Sequence, residues 1–165
     1  DFPKNENFVI KEACTDNKKE VAEIAKKAFK HSRFHKDPLI SKDKADIIKK
    51  EWAKNFFSGQ RGDLMLVASI KNNLSKDFKI KGFLLLKKTK SFYKEKTILI
   101  DLIAIDPEFS GLGLGNELIK NMLNKFKKEY IFQVSTQSIN ISALSLYSKY
   151  QFQFENSFFN LHLHN

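Results

Sequence analysis

Cysteine occurs once in 165 residues, at Cys14. One thiol cannot close a disulfide within the chain, so packing must hold the fold, and a reducing cytoplasm is the natural setting. A lone cysteine is most often a small buried apolar group, so Cys14 is not taken as a nucleophile. Proline and glycine are scarce, with three and six residues, which excludes Pro/Gly-rich linkers and long disordered tracts. No window approaches 18 uncharged apolar residues, so no membrane span is expected. No signal-peptide pattern opens the chain. Its first residue is Asp1, not Met, so a trimmed start or the C-terminal part of a longer protein is expected. Repeats and low-complexity blocks are absent. His162 and His164 form an H-x-H pair near the C-terminus, but two imidazoles without a Cys or carboxylate cluster do not complete a zinc site, and no metal is expected.

What remains is the material of one compact domain spanning 1–165. Hydrophobic residues make up 42% of the chain, 16 of them Phe. The formal net charge is +10, from 29 Lys+Arg against 19 Asp+Glu. A basic surface attracts nucleic acid, acidic lipid or phosphorylated small molecules. Here the excess is mostly lysine scattered through "KIKGFLLLKKTKSFYKEK" and "NKFKKEY" instead of lining one helix. No specific nucleic-acid site is therefore expected, and a phosphate-bearing substrate fits.

Hydrophobic periodicity orders the elements. "NFVIKEA" reads as a strand, and Val21, Ile24, Ala25, Ala28 and Phe29 mark one face of a helix, with Asp16 or Asn17 as its cap. "SRFHKDPLI" reads as a loop, since Pro38 disfavours helix at Asp37. Ser41 is placed to cap a second helix carrying Ala45, Ile48, Trp52 and Phe56 on one side. Three strands follow, "LMLVASI", "KIKGFLLLKK" after the turn "KNNLSKD", and "KTILIDLIAID". The last is apolar on both faces, as a covered central strand would be. Simple alternation puts Ile98, Ile100, Leu102 and Ala104 on one face, and Leu99, Asp101, Ile103 and Ile105 on the other. Asp101 is thus a carboxylate inside an apolar strand, a costly placement unless it is paired or useful. A helix bearing Leu118, Ile119, Met122, Leu123 and Phe126 comes next, then the strand "YIFQVST" and the helix "NISALSLYSKY". Two closing strands are expected around "FQFE" and "SFFNLHLH". The order predicts an α/β (α+β) fold, with a mixed, mostly antiparallel sheet of about seven strands and helices on both faces.

Between the third of those strands and its helix lies "DPEFSGLGLGNELI", with three glycines in five residues. A strand, a glycine turn and a helix make an anion cradle. Glycine allows close backbone approach, the first helical N–H groups lack internal partners, and the helix dipole is positive there. The stretch is not a P-loop, because Gly115 is followed by Asn116 and Glu117. Nor is it a dinucleotide fingerprint, whose spacing is G-x-G-x-x-G near a first strand.

The stretch "LIAIDPEFSGLGLGNELI" resembles motif A of the GNAT superfamily of acetyl-CoA-dependent N-acetyltransferases, whose core is Q/R-x-x-G-x-G/A. Ser110, Gly113 and Gly115 take the three fixed positions, with Ser110 standing in for the usual Gln or Arg. "NISALSLYSKYQF" is similar to the family's N-x-x-A-x-x-L-Y-x-x-x-G-F segment, matching at Asn140, Ala143, Leu146, Tyr147 and Phe152, with Gln151 where Gly is usual. The resemblance implies a GNAT fold and acetyl-CoA as cosubstrate. Backbone groups of Leu102, Ile103, Ala104 and Ile105 would bond the pantetheine arm. The amides of Phe109, Ser110, Gly111, Leu112, Gly113, Leu114 and Gly115 would hold the pyrophosphate. Asn140 and Ala143 would lie against the cofactor. An amine would attack the thioester directly, with Tyr147 as the acid that protonates the departing thiolate. An N–H at Ile103 or Ala104 would stabilise the oxyanion, and Asp101 is the candidate base or water-holder.

"AFKHSRFHKDPLI" followed by "ADIIKKEWAKN" is similar to the sugar-nucleotide branch typified by TDP-fucosamine acetyltransferases. That resemblance implies a nucleotide-linked 4-amino-4,6-dideoxy sugar as acceptor. Arg33 would hold a substrate phosphate and His35 would orient or deprotonate the amine. The alternatives are a protein N-terminal or lysine acetyltransferase, and a non-catalytic acetyl-CoA-binding module. A homodimer through the strand-rich C-terminus is compatible with either.

Overall fold

The computed structural model describes residues 8–70, 79–90, 95–126, 130–159, 161 and 163. Strand β1 (Phe8–Glu12) leads into α1 (Lys18–Ala28), the one-turn α2 (Arg33–Lys36) and α3 (Lys42–Lys54). Strands β2 (Leu64–Ile70), β3 (Ile80–Lys90) and β4 (Lys96–Ile105) follow, then α4 (Leu114–Phe126), β5 (Ile131–Val134) and α5 (Ile141–Lys149). The five strands form one sheet in the order β1-β2-β3-β4-β5, with the first three pairings antiparallel and β4–β5 parallel. The mixed sheet with helices on both faces matches the architecture expected from the element order.

Each face of the sheet buries its own apolar cluster. On one face, α1 and α3 cover Met65, Val67, Phe83, Leu85, Leu102 and Ala104. On the other, α4 and α5 cover Leu66, Ala68, Leu84, Leu86, Ile98 and Ile100. The period of two on β2, and on β3 from Gly82 onward, assigns odd and even residues to opposite faces; a register shift before Gly82 places Ile80 with Phe83 and Leu85. On β4 the period of two does not hold, and the simple alternation drawn from sequence is wrong there. Leu85 pairs with Leu102 and Leu86 with Ile100, so Asp101 is an extra residue, a β-bulge. The bulge sends Ile98 and Ile100 to one face and Leu102 and Ala104 to the other.

The helix ends follow local chemistry. Ser41 caps α3 as expected, its hydroxyl accepting from the Lys44 amide at 3.4 Å. Asn17 precedes α1, but its side chain turns back to accept from the Cys14 amide at 3.0 Å. Cys14 is exposed, not buried. At the end of α5, Gln151 holds φ +63, the left-handed conformation for which glycine is usual.

Neither closing strand expected at the C-terminus forms among the described residues, so the described sheet has five strands, not about seven. Residues 152–159, 161 and 163 carry no strand pairing, and Phe154, Phe158, Phe159, Leu161 and Leu163 are exposed. Alternation of Phe and Leu with polar residues describes a strand only if an edge receives it, and no described strand does so here. The turn "KNNLSKD", His162 and His164 lie outside the described residues.

Candidate active-site cleft

β4 and β5 are paired only from Thr97↔Ile131 to Ile100↔Val134. Beyond Ile100 the two strands part, and they do so at the Asp101 bulge. The outer edge of Leu102–Ile105 is therefore left without a strand partner, and a cleft of about 600 Å³ opens against it. The far wall is Val134–Gln137 and the side of α5 bearing Asn140, Ala143 and Tyr147.

The glycine loop forms one end of this cleft. After β4, Asp106 caps a single 3-10 turn, accepting from the Glu108 amide at 3.2 Å. The turn consumes the amides of Phe109, which donates to the Asp106 carbonyl at 2.8 Å, and of Ser110, which donates to the Pro107 carbonyl at 3.3 Å. These two are thus unavailable to an anion, contrary to the expectation for them. The next backbone bond is Glu117 N–H to the Gly113 carbonyl at 3.1 Å. The amides of Gly111, Leu112, Gly113, Leu114, Gly115 and Asn116 have no partner among the described residues. Gly111 and Gly113 hold φ +81 and +93, which other residues enter only under strain. Gly115 lies in the first turn of α4 without a positive φ, and a Cβ there would make only ordinary contact, at 3.4 Å, with Leu146 of α5. Asn116 adds a buried side-chain oxygen, Oδ1, without a hydrogen-bond partner in the described structure. Six bare amides at the positive end of a 13-residue helix fit a diphosphate well. Lys81 sits 3.9 Å above the Phe109 ring at the edge of the same loop.

Tyr147 stands on the opposite wall, 6% exposed, its ring 5.5 Å from Phe152. Its hydroxyl makes no hydrogen bond to a described residue, and burial pushes its pKa up to about 12. Asn140 is the N-cap of α5, accepting from the Ala143 amide at 3.4 Å and donating to Thr136 Oγ1 at 3.3 Å. It therefore fixes the start of the helix that carries Tyr147. Tyr150, one turn beyond Tyr147, donates to the Asn116 carbonyl at 3.0 Å and ties α5 to the loop.

The other end of the cleft is built from α1, α3 and the bulge. Arg61 grips Asp101 in a bidentate pair, with Nε at 2.5 Å and the second nitrogen at 2.8 Å. Its guanidinium lies 4.2 Å from the Trp52 ring. Lys30, His31 and Lys49 line this end together with Asp101.

Of the residues singled out from sequence, the cleft gathers Asp101, Leu102–Ile105, Phe109–Gly111, Gly113–Gly115, Asn140, Ala143 and Tyr147. The side chain of Leu112 points outward, half exposed. Arg33 and His35 are not on the cleft wall. His35 is locked on both ring nitrogens, Nδ1 to Ser32 Oγ at 2.6 Å and Nε2 to Asp46 Oδ1 at 2.9 Å. It braces α2 against α3 and has no nitrogen left for a substrate amine. Arg33 lies 4.9 Å over the ring of its neighbour Phe34. Lys49 and Arg61 were missed. Lys49 was legible in principle, since it falls four residues after Ala45 and three before Trp52, on the stripe that faces the core.

The family model for the acetyltransferase (GNAT) family matches residues 20–152. A curated relative, the spore coat polysaccharide biosynthesis protein SpsD of Bacillus subtilis (strain 168), is 28% identical over 145 residues. That match takes in 87% of this chain and 46% of the relative, so the chain spans about half the length of the curated protein it resembles. Among solved structures, a possible acetyltransferase from Clostridium difficile 630 superposes with a TM-score of 0.64 at 15% identity, over 97% of this chain and 100% of that one. A NatC complex bound to Gag peptide and CoA gives 0.59 at 15% identity, over 87% and 83%.

Proposed function

The chain belongs to the acetyltransferase (GNAT) family, and on that premise we propose that it transfers acetyl from acetyl-CoA to the primary amine of a nucleotide-linked 4-amino-4,6-dideoxy sugar. The observation that carries the donor half is the run of six unbonded amides, Gly111–Asn116, at one end of a cleft lined by Tyr147. These amides would take the diphosphate of coenzyme A, and the bare edge of Leu102–Ile105 would run beside its pantetheine arm as an added strand would. An N–H at Ile103 or Ala104 then meets the charge that develops on the thioester oxygen.

Tyr147 supplies the proton for the departing sulfur. Burial keeps the phenol protonated up to about pH 12. A thiolate expelled into the same pocket meets the same penalty for carrying charge, and this is what lets the phenol give up its proton. Help of this kind is worth about 10² to 10⁴ in rate. Asp101 has both oxygens engaged by Arg61, yet each keeps a second lone pair. It holds the acceptor ammonium or the water that takes its proton.

The sugar half is supported by the name of the curated relative, a polysaccharide biosynthesis protein, and by the basic residues at the far end of the cleft. Mass spectrometry of products tests it directly. The protein and acetyl-CoA are mixed with TDP- and UDP-linked amino sugars, and separately with peptides bearing free N-termini and lysines. The expected product is a nucleotide sugar heavier by one acetyl group. Acetylation confined to the peptides would overturn the sugar assignment and leave the family unaffected.

A further inference from the structure

On the face that α3 turns inward, between Ala45 and Ala53, sits a charge. Lys49 is 8% exposed. Its Nζ lies 4.3 Å from the centre of the Trp52 ring, 4.9 Å from Phe29 and 5.9 Å from Phe34. It makes no hydrogen bond or ion pair with a described residue. Three further charges reach it: Arg33 from α2, Arg61 from the approach to β2, and Asp101 from β4. Asp101 is the one anion of the three, and its ion pair is with Arg61, not with Lys49. The three rings soften the cost of burying an ammonium without replacing a counter-ion. The side chain lines the cleft, beside Lys30 and His31 at the end away from the glycine loop.

Such a group has two chemical uses, as a base when neutral or as an anchor for an anion when charged. Burial, first, and the Arg61 charge pull its pKa down to about 8, against the opposing pull of Asp101. At pH 7 roughly nine in ten such groups are still protonated, so the resting state is a cation with three donors and no acceptor. We propose that Lys49, with Lys30 and His31 at the rim, is the seat for a phosphate group of the acceptor. This deepens the sugar-nucleotide reading and rests on it for the identity of that phosphate. It moves the phosphate contact from Arg33, outside the cleft wall, to a lysine inside it.

The test uses calorimetry with coenzyme A saturating, so that the glycine loop is already filled, and dTDP as the probe. Wild-type protein should bind dTDP. Lys49→Met should weaken that binding roughly ten- to hundredfold, the range for losing a charge-assisted hydrogen bond, with coenzyme A affinity unchanged. Lys49→Arg should recover part of the loss. A second measurement needs no variant. The diphosphate is fully ionised at pH 8, so an anion docking on Lys49 raises that group's pKa and draws up to about half a proton from solution. The uptake is read from the dependence of binding heat on buffer ionisation enthalpy. Equal dTDP affinity in wild type and Lys49→Met, or binding without proton uptake, overturns the proposal. Acetylated nucleotide sugar formed with a KM insensitive to Lys49→Met also overturns it while leaving the proposed reaction standing. Acetylation of peptides alone, with dTDP binding still dependent on Lys49, would unseat the reaction and keep this site.

Discussion

Replacing Lys49 by Met should make the protein more stable at pH 7, and the size follows from the structure. The pKa falls from 10.5 to about 8 on folding. At about 1.4 kcal/mol per unit, holding the ammonium in that position costs about 3 kcal/mol. The Trp52 and Phe29 rings return part of it, at about 0.5–1 kcal/mol each. Met keeps the length and apolar stem of lysine and fills the same space. The net gain at pH 7 is about 1–2 kcal/mol, a rise in Tm of roughly 2–8 °C for a domain of this size. The sign with pH is fixed by linkage. The folded pKa is depressed, so between about pH 8 and 10.5 the unfolded wild type binds more protons than the folded one, and wild-type stability rises with pH through that window. The advantage of the variant must therefore shrink as pH goes from 7 to 10. Urea melts of both proteins at pH 7, 8.5 and 10, followed by circular dichroism, measure the difference, and Tyr147 contributes equally to both. A variant less stable than wild type at pH 7, or an advantage that grows with pH, would refute the idea that Lys49 is an uncompensated buried cation.

Three further outcomes are expected. Tyr147→Phe should lower kcat by about 10² or more while the Kd for coenzyme A stays within twofold, measured by thiol release and calorimetry. Because the phenol's folded pKa is raised to about 12, wild type should also lose about 3 kcal/mol of stability as pH climbs from about 10 to about 12, and the Phe variant should not. Gly113→Ala must place a Cβ residue at φ +93; the strain of about 1–2 kcal/mol will be relieved by turning the loop, and coenzyme A affinity should drop at least tenfold by calorimetry. Arg61→Met leaves Asp101 a mostly buried, unpaired carboxylate and should destabilise by about 2 kcal/mol in urea melts. Adding Asp101→Asn to it should recover much of the loss, and additive effects would show that the pair is not coupled.

The glycine loop proposed to hold the donor is legible because backbone conformation makes it. Glycines at positions 111, 113 and 115 stand in the sequence, and the fold requires them at the first two, which hold positive φ. Tyr147 and Asn140 were legible through spacing within a single helix. The limits of the cradle were not. Nothing in "DPEFS" announces that a 3-10 turn will use the Phe109 and Ser110 amides. The Asp101 bulge was equally silent. A bulge is a property of two strands, and it reverses the faces of Leu102 and Ala104 without changing the apolar pattern of β4. The C-terminal residues failed in the opposite sense, since a good strand pattern is only half of a pairing.

The basic end of the cleft, where the acceptor is proposed to sit, is not legible because it is assembled from side chains far apart in sequence. Forty residues separate Arg61 from Asp101 and 20 separate Phe29 from Lys49, so no local spacing connects them. Arg33 and His35 were expected there from the resemblance to the sugar-nucleotide branch, but they lie on α2, where His35 bridges Ser32 and Asp46. The bulge links the two halves. It puts Asp101 outside the ladder at the point where β5 departs, so the same residue that frees the edge of β4 for the donor also carries the carboxylate that Arg61 holds beside Trp52. Asp101 is held by Arg61, and Lys49 has no ion-pair partner among the described residues. On the proposed reading, an acceptor that brought only an amine would meet Lys49 and Lys30 as like charges in the cleft. An acceptor that brings an amine and a phosphate satisfies both the bound carboxylate and the unpaired lysine at once, and this is the physical reason to expect a charged sugar there and not a simple amine.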